Sequence, residues 1–131
     1  MSVDNLELAR RFIALGRQGD WSRLDLLSED VVYRPIVEIT ETGEYHGRAG
    51  FRTYMQGFLE AEWAENLAFE GTSFREYGDA VVVRIELSGE GRASGIDFSA
   101  RVFQVLTFSA GEIVRVEDFL HRDDAMKAAG Q

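Results

Sequence analysis

The stretch IVRVEDFLHR, residues 113 to 122, has the alternating pattern of side chains that is typical of a β-strand, but one carboxylate lies on its apolar face. Because strand side chains alternate with a period of two, Val114, Val116 and Leu120 share a face with Asp118. The other face carries Ile113, Arg115, Glu117, Phe119 and His121. A buried carboxylate is costly unless it is partnered or keeps its proton. The pattern therefore predicts that Asp118 faces the interior and has a hydrogen-bonding or cationic partner, with a strand-end ion pair on the surface as the alternative.

The sequence before this strand predicts further β-strands, which are separated by short segments typical of hairpin turns. Three more strands are predicted, separated by GD, GRASG and AGE: LAFEGTSFREY (67–77), AVVVRIELSGEG (80–91) and IDFSARVFQVLTFS (96–109). An earlier strand-like segment, DVVYRPIVEI (30–39), contains Pro35, which favours a sheet edge or a bulge. The spacing predicts an antiparallel meander.

The rest of the chain has helical signals. Asp4 with Glu7 fits a capping box, and Asp20 is a candidate N-cap for a second helix in GDWSRLDLL. RAGFRTYMQGFLEAEW (48–63) has the apolar spacing of a third helix, and DDAMKAAG (123–130) can form a short helix. This order of elements predicts an α+β fold in which a cone-shaped, curved antiparallel sheet wraps around the N-terminal helices and encloses a pocket.

The composition narrows the functional classes. The chain has 131 residues and no linker signal, which predicts one domain spanning residues 1–131. The 14 Lys and Arg against 23 Asp and Glu give a net charge of -9, which disfavours nucleic acid and anionic membranes as partners. No cysteine, signal peptide or metal-ligand spacing is visible, so we expect a cytoplasmic protein without a metal or another cofactor.

Several phrases resemble the SnoaL-like branch of the nuclear transport factor 2-like superfamily. They are GDWSRLDLLSEDVVYRP (19–35), GEYHGRAGFRTYM (43–55) and SAGEIVRVEDFLHRDDAMKAAG (109–130). The resemblance implies a cone-shaped α+β barrel with a deep apolar pocket, which is usually dimeric through the outer face of the sheet. It also implies general acid–base chemistry, since the superfamily includes polyketide cyclases, ketosteroid isomerase and limonene-epoxide-type hydrolases. Non-enzymes share the same scaffold, so the fold alone does not give the activity.

The same resemblance suggests catalytic residues. Asp118 is similar to the final-strand aspartate of limonene-epoxide-type hydrolases, and Arg84-x-Glu86 is similar to their Arg-x-Asp pair. These three residues would form an acid–arginine–acid triad, in which Arg84 is the leading partner for Asp118. The chain departs from that family at Tyr33, where Pro35 replaces the asparagine of a Tyr-x-Asn pair. The alternative for Arg84 and Glu86 is a solvated ion pair on the outer face.

A small hydrophobic molecule is the expected ligand. The residues predicted to line or close its pocket are Tyr33, Tyr54, Phe58, Trp63, Val116 and Leu120. The favoured function is a cofactor-free acid–base enzyme of the hydrolase, isomerase, dehydratase or cyclase type. A non-catalytic binding module and a dimeric scaffold remain as alternatives. Strands 80–87 and 98–108 are apolar on both faces in places, which predicts a homodimer through the outer face of the sheet.

Overall fold

A computed structural model describes residues 4–36, 43–59 and 64–131. Three α-helices, one 3-10 helix and six strands are present in these ranges. In chain order they are α1 (Asn5–Arg17), the 3-10 helix (Trp21–Leu26), β1 (Leu27–Arg34), β2 (Tyr45–His46), α2 (Gly47–Leu59), β3 (Ala64–Tyr77), β4 (Ala80–Gly91), β5 (Asp97–Ser109), β6 (Glu112–Phe119) and α3 (Arg122–Ala128). None of the helices in the described ranges is long and apolar enough to cross a membrane.

The six strands form one curved, unclosed sheet in the order β2-β1-β6-β5-β4-β3. Three successive hairpins link β3, β4, β5 and β6, and every pair among them is antiparallel. The meander and the α+β class predicted from the sequence are thereby confirmed. The sheet is not purely antiparallel, however, because β1 lies parallel to β6. A parallel neighbour needs a long crossover, and the chain between β1 and β6 provides it.

The N-terminal helices begin where the capping residues indicate. The side chain of Asp4 accepts a hydrogen bond from the amide of Leu6 at 3.0 Å, and that of Asp20 accepts one from the amide of Ser22 at 2.9 Å. The second helix is shorter than predicted, since it is a 3-10 helix that ends at Leu26. Leu27 cannot belong to it because its backbone already pairs with β6.

The core lies between α1, α2 and the inner face of the sheet. Fully buried side chains from every layer meet there, including Phe12, Phe51, Val31, Val81, Leu106 and Ile113. The rings of Phe12 and Phe51 join the two helices, with centroids 5.8 Å apart. Helix α1 packs against β3, and α2 packs against β1.

Helix α3 covers part of the outer face of the sheet. Its buried Ala125 and partly buried Met126 pack with Ala80, Val82 and Val105. Beside this small apolar cluster, Glu117 on the same face lies 3.2 Å from Arg115 and 3.7 Å from Arg34. The outer face is therefore a mixture of apolar contact and ion pairs.

Irregularities interrupt three strands, and in β1 the pairing with β6 shifts between Leu27 and Val32. In β6 the pairing shifts between Thr107–Arg115 and Phe108–Ile113, which leaves Val114 as an extra residue. Ile113 is consequently fully buried in the main core, although strict alternation places it on the outer face with Arg115. Strand β3 lies at the edge of the sheet, and its pairing shifts twice, between Glu65 and Ala68 and between Gly71 and Ser73.

Candidate functional site

A cavity of about 120 Å³ lies between the helices and the inner face of the sheet. Most of its wall is aliphatic or aromatic, and this part includes Ile13, Phe51, Met55, Phe58, Ile85 and Val102. A dry apolar cavity of about 150 Å³ in another protein is large enough to bind benzene. This cavity is somewhat smaller, so a molecule of about one ring is the upper limit of the size it can enclose.

Asp118 supplies a carboxylate to this apolar cavity. Its Oδ2 accepts a hydrogen bond from the hydroxyl of Tyr33 at 2.5 Å, and its Oδ1 accepts one from Nε2 of Gln104 at 2.8 Å. The sheet creates this arrangement directly, because Gln104 on β5 is the cross-strand partner of Asp118. Tyr33 on β1 pairs with Val116, which is two residues before Asp118 on the same face.

The surroundings make Asp118 a weaker acid than an ordinary aspartate. Burial raises the pKa of Asp118 to about 6, and the hydrogen bonds from Tyr33 and Gln104 and the charge of Arg23 oppose that rise. Ionised and protonated forms are therefore both accessible near neutral pH, with roughly a tenth protonated at pH 7. A carboxyl group with such a pKa can accept a proton and return it.

Arg23 brings a buried cation to the same cavity. The side chain comes from the 3-10 helix, is only 5% exposed, and places its guanidinium carbon 3.9 Å from the ring centroid of Phe12. Burial lowers the pKa of Arg23 to about 10, while electrostatic interactions with Tyr33 and Asp118 act to raise it. Arg23 thus stays cationic at neutral pH. Its Nε is buried and has no hydrogen-bond partner among the described residues.

The guanidinium of Arg23 fits only because a glycine lies beside it. A Cβ added to Gly16 of α1 would lie 2.1 Å from Nη1 and 2.5 Å from Cζ of Arg23. Gly16 therefore leaves the space in which the guanidinium lies over the ring of Phe12. The cation is held by shape and by a ring face, a favourable contact for arginine.

Tyrosine and phenylalanine rings form the wall next to Asp118. The ring of Tyr33 lies 5.2 Å from that of Tyr54 and 5.1 Å from that of Phe51, in edge-to-face contacts. Burial, followed by the negative charge of Asp118, raises the pKa of Tyr33 well above its ordinary value. The same two causes raise the pKa of Tyr54. Tyr33 therefore remains a hydroxyl donor at neutral pH.

Only some of the residues that the sequence predicts for this pocket line the cavity. Asp118, Tyr33, Tyr54 and Phe58 line the cavity. Val116 is fully buried in the core, and Leu120 is partly buried; neither lines the cavity, so their prediction as ligand-binding residues is wrong. Trp63 lies outside the described residues.

Arg84 and Glu86 do not join Asp118, so the predicted triad is wrong. Val83 and Ile85 point into the core, which turns Arg84 and Glu86 to the outer face of β4. There Nε of Arg84 donates to Oγ1 of Thr72 at 2.9 Å. Glu86 is paired with Arg101 at 2.9 Å and lies 3.9 Å from Arg84. These ion pairs are on the opposite side of the sheet from the cavity.

Arg23 and Gln104 were not predicted from the sequence. Gln104 follows from alternation, since it lies between the inward-facing Val102 and Leu106 on β5. Arg23 has no such signal, because the segment around it has the capping pattern of an ordinary surface helix. No group of three or more potential metal ligands is present in the part of the chain that the structure describes.

Comparison with protein families gives a match that covers most of the chain. Residues 9–116 match the SnoaL-like domain model. A search of curated proteins found no match.

Solved structures share the fold at low sequence identity. An NTF2-like protein from Burkholderia thailandensis is 20% identical, with a TM-score of 0.78 and 96% of each chain covered. TerC, co-crystallised with polyporic acid, is 19% identical, with a TM-score of 0.76 and coverage of 97% of this chain and 98% of its own. A protein with a ketosteroid isomerase-like fold from Catenulispora acidiphila, in complex with trimethylamine, is 16% identical, with a TM-score of 0.71 and coverage of 95% of this chain and 92% of its own.

Proposed function

The chain belongs to the SnoaL-like domain family, and from this premise we propose that it is a cofactor-independent acid–base enzyme acting on a small, mostly apolar molecule. The observation that carries this proposal is Asp118, a carboxyl group with a pKa of about 6 in an apolar cavity. Groups that transfer protons work best when their pKa is near the operating pH. Perturbed carboxyl groups in clefts are candidates for that role.

The chemistry that this site favours is removal of a proton from carbon next to a carbonyl group. Ionised Asp118 accepts the proton, and the negative charge that develops on the carbonyl oxygen is stabilised by the guanidinium of Arg23, which lines the same cavity. Tyr33 and Gln104 each occupy one acceptor site of the carboxylate, which has about four. Protonated Asp118 then returns the proton to a different carbon, which completes an isomerisation. In a cyclisation the enolate carbon instead attacks a second carbonyl carbon of the same molecule, and Asp118 returns the proton to the alkoxide oxygen that forms.

The size and polarity of the cavity support a small ligand that is mainly hydrocarbon. Structural neighbours were crystallised with polyporic acid and with trimethylamine, which is consistent with small-molecule binding in this fold. A cytoplasmic location and a homodimer remain part of this proposal.

Proton exchange tests the proposal without knowledge of the natural substrate. Cyclohexanone in D2O exchanges its α-protons slowly, and proton NMR measures the rate. We expect the wild-type protein to accelerate this exchange and Asp118→Asn to abolish the acceleration. Glu86→Gln, which removes a carboxylate on the outer face, is the matched control and should retain it. Cyclohexene oxide, tested for hydrolysis, is the corresponding probe for an epoxide hydrolase.

A non-catalytic ligand-binding module is the second candidate. It is favoured by one observation, namely that both oxygens of Asp118 already accept hydrogen bonds from protein donors. Saturation-transfer NMR separates the two functions. If cyclohexanone binds but exchanges at the same rate with wild-type protein and with Asp118→Asn, the enzyme proposal is wrong and the binding module is favoured.

A further inference from the structure

A second cavity lies on the outer face of the sheet, on the opposite side from Asp118. It has a volume of about 230 Å³ and is bounded by β3, β4, β5 and the exposed edge of α3. Val82 and Phe103 contribute its apolar part. We call this cavity the outer groove. None of the residues assigned above to proton transfer lines it.

Four arginines from four different elements line the outer groove. They are Arg75 on β3, Arg84 on β4, Arg101 on β5 and Arg122 on α3. One carboxylate lies among them, since Glu86 is 2.9 Å from Arg101 and 3.9 Å from Arg84. Neither Arg75 nor Arg122 forms an ion pair with any residue that the structure describes. The groove therefore carries an excess of positive charge.

This excess is contrary to the composition of the chain, whose net charge is -9. Like charges gathered around one groove repel each other, so this clustering of arginines does not stabilise the fold. Elsewhere on the same face, Glu117 lies within ion-pair distance of both Arg34 and Arg115. Arg75 and Arg122 lack such a pair in the described structure, which leaves their donors available to an anion.

We propose that the outer groove binds a small organic anion that carries a phosphoryl or carboxylate group on an apolar body. Guanidinium groups match the planar, bidentate geometry of such oxyanions. Val82 and Phe103 provide apolar surface for the rest of the molecule. The proposal is independent of proton transfer at Asp118, because the two cavities share no lining residue.

Isothermal titration calorimetry tests the proposal with four probes: phenyl phosphate, benzoate, inorganic phosphate and phenol. Phenyl phosphate and benzoate show whether the groove selects phosphoryl or carboxylate groups. Inorganic phosphate measures the contribution of the charge without a ring, and phenol measures that of the ring without a charge. We expect at least one of the two ring-bearing anions to bind at least tenfold more tightly than both inorganic phosphate and phenol. This binding should weaken as sodium chloride increases, because salt screens exposed charges.

Arg75→Gln and Arg122→Gln should each weaken the binding of that anion at least fivefold. Both side chains are exposed and have no ion pair in the described structure, so their replacement leaves Glu86 with its partners. Arg11→Gln on the exposed side of α1 changes the net charge by the same amount and is the matched control. Circular dichroism of each variant verifies folding.

Three results would overturn the proposal. The first is equal affinity for the anion in Arg11→Gln and in both groove variants. The second is the absence of binding by every anion. The third is a groove covered by another copy of the chain, shown by Arg75→Gln altering the sedimentation coefficient. Loss of catalysis at Asp118 with anion binding intact would leave this proposal standing.

Discussion

Because burial raises the pKa of Asp118 to about 6, against 3.8 for an ordinary aspartate, folding takes up a proton between these two pH values. The stabilising contribution of protonated Asp118 is fully present below pH 3.8 and is lost as the pH rises through 6. Ionised Asp118 is thus tolerated at neutral pH at a cost to stability. Its hydrogen bonds with Tyr33 and Gln104 limit that cost.

Asp118→Asn should remove this pH dependence. Relative to the variant, we expect the free energy of unfolding of the wild-type protein to fall by roughly 2–3 kcal/mol between pH 4 and pH 7. Urea unfolding at a series of pH values measures the difference. The exposed Asp25→Asn is the control for the loss of a carboxylate. A difference between wild type and Asp118→Asn that stays constant over this range would contradict the assignment.

Gly16→Ala tests the fit of Arg23. Alanine stabilises an ordinary helix position by about 1 kcal/mol over glycine. At Gly16 we expect no gain, since the new Cβ would lie 2.1 Å from Nη1 of Arg23 and displace the guanidinium. Gly57→Ala in α2, where an added Cβ meets nothing within 4 Å, is the matched control and should show the full gain. Thermal unfolding of both variants provides the comparison.

The outcome for Gly16→Ala can be traced to Arg23 with a second substitution. In an Arg23→Ala background, the added Cβ no longer has a guanidinium to displace, so Gly16→Ala should recover its stabilising effect. Equal stabilisation by Gly16→Ala and Gly57→Ala in the wild-type background would show that Arg23 is not held as described.

Among the elements, the β5–β6 hairpin has an unfavourable residue in its turn. Ser109 pairs with Glu112, so Ala110 and Gly111 form a two-residue loop, and their φ angles are 51° and 79°. Both values lie in the left-handed region, where alanine is disfavoured by about 1–2 kcal/mol. Asparagine and glycine are the residues usually found in such turns.

Ala110→Asn should therefore raise the free energy of unfolding by about 0.5–1 kcal/mol. Gly111→Ala, the reciprocal change at the next position, should lower it by about 1 kcal/mol or more, because a side chain is added where φ is positive. Urea unfolding of the two variants measures both effects. Stabilisation by neither, or by both, would be inconsistent with the turn described here.

Strands were predictable from the sequence where alternation decides burial. β4 was predicted with its observed ends, and β5 to within one residue, because hairpin signals bound them on both sides. Alternation also predicted that Asp118 faces inward. The same rule places Arg84 outward, opposite Val83 and Ile85, so the partner for Asp118 that the Arg-x-acid resemblance implies is wrong.

The burial of two other side chains does not follow from the regular spacing of strand or helix residues. The extra residue Val114 shifts Ile113 to the inner face, and no residue type marks such a bulge in advance. Arg23 enters the core from a 3-10 helix, whose side chains follow neither the helical nor the strand period. Its burial depends on Gly16 and Phe12, which become its neighbours only when α1 folds back.

At the scale of the whole molecule, the distribution of charge bears on self-association. The homodimer predicted through the outer face of the sheet has to accommodate α3, which already covers part of that face. Two outer grooves brought together by a twofold axis would also repel each other. The contact compatible with both features lies toward β6 and β1, where Thr107 and Val32 are partly buried on the outer face.

We expect sedimentation velocity to show a dimer at micromolar concentration. Thr107→Glu, which introduces a charge at this part of the outer face, should shift the protein toward the monomer. Thr53→Glu on the exposed side of α2 adds the same charge away from the sheet and should leave the dimer intact. A wild-type protein that sediments as a monomer at this concentration would rule the dimer out.

The edge strand β3 has a consequence for storage and expression. An exposed edge can recruit strands from other molecules, which begins aggregation. The two shifts in its pairing break up the flat ladder that such recruitment needs, and Glu65, Glu70 and Glu76 are exposed along it. Edges of this kind repel one another while their carboxylates are ionised. The protein should therefore stay dispersed at neutral pH and precipitate most readily near its pI of about 4.7.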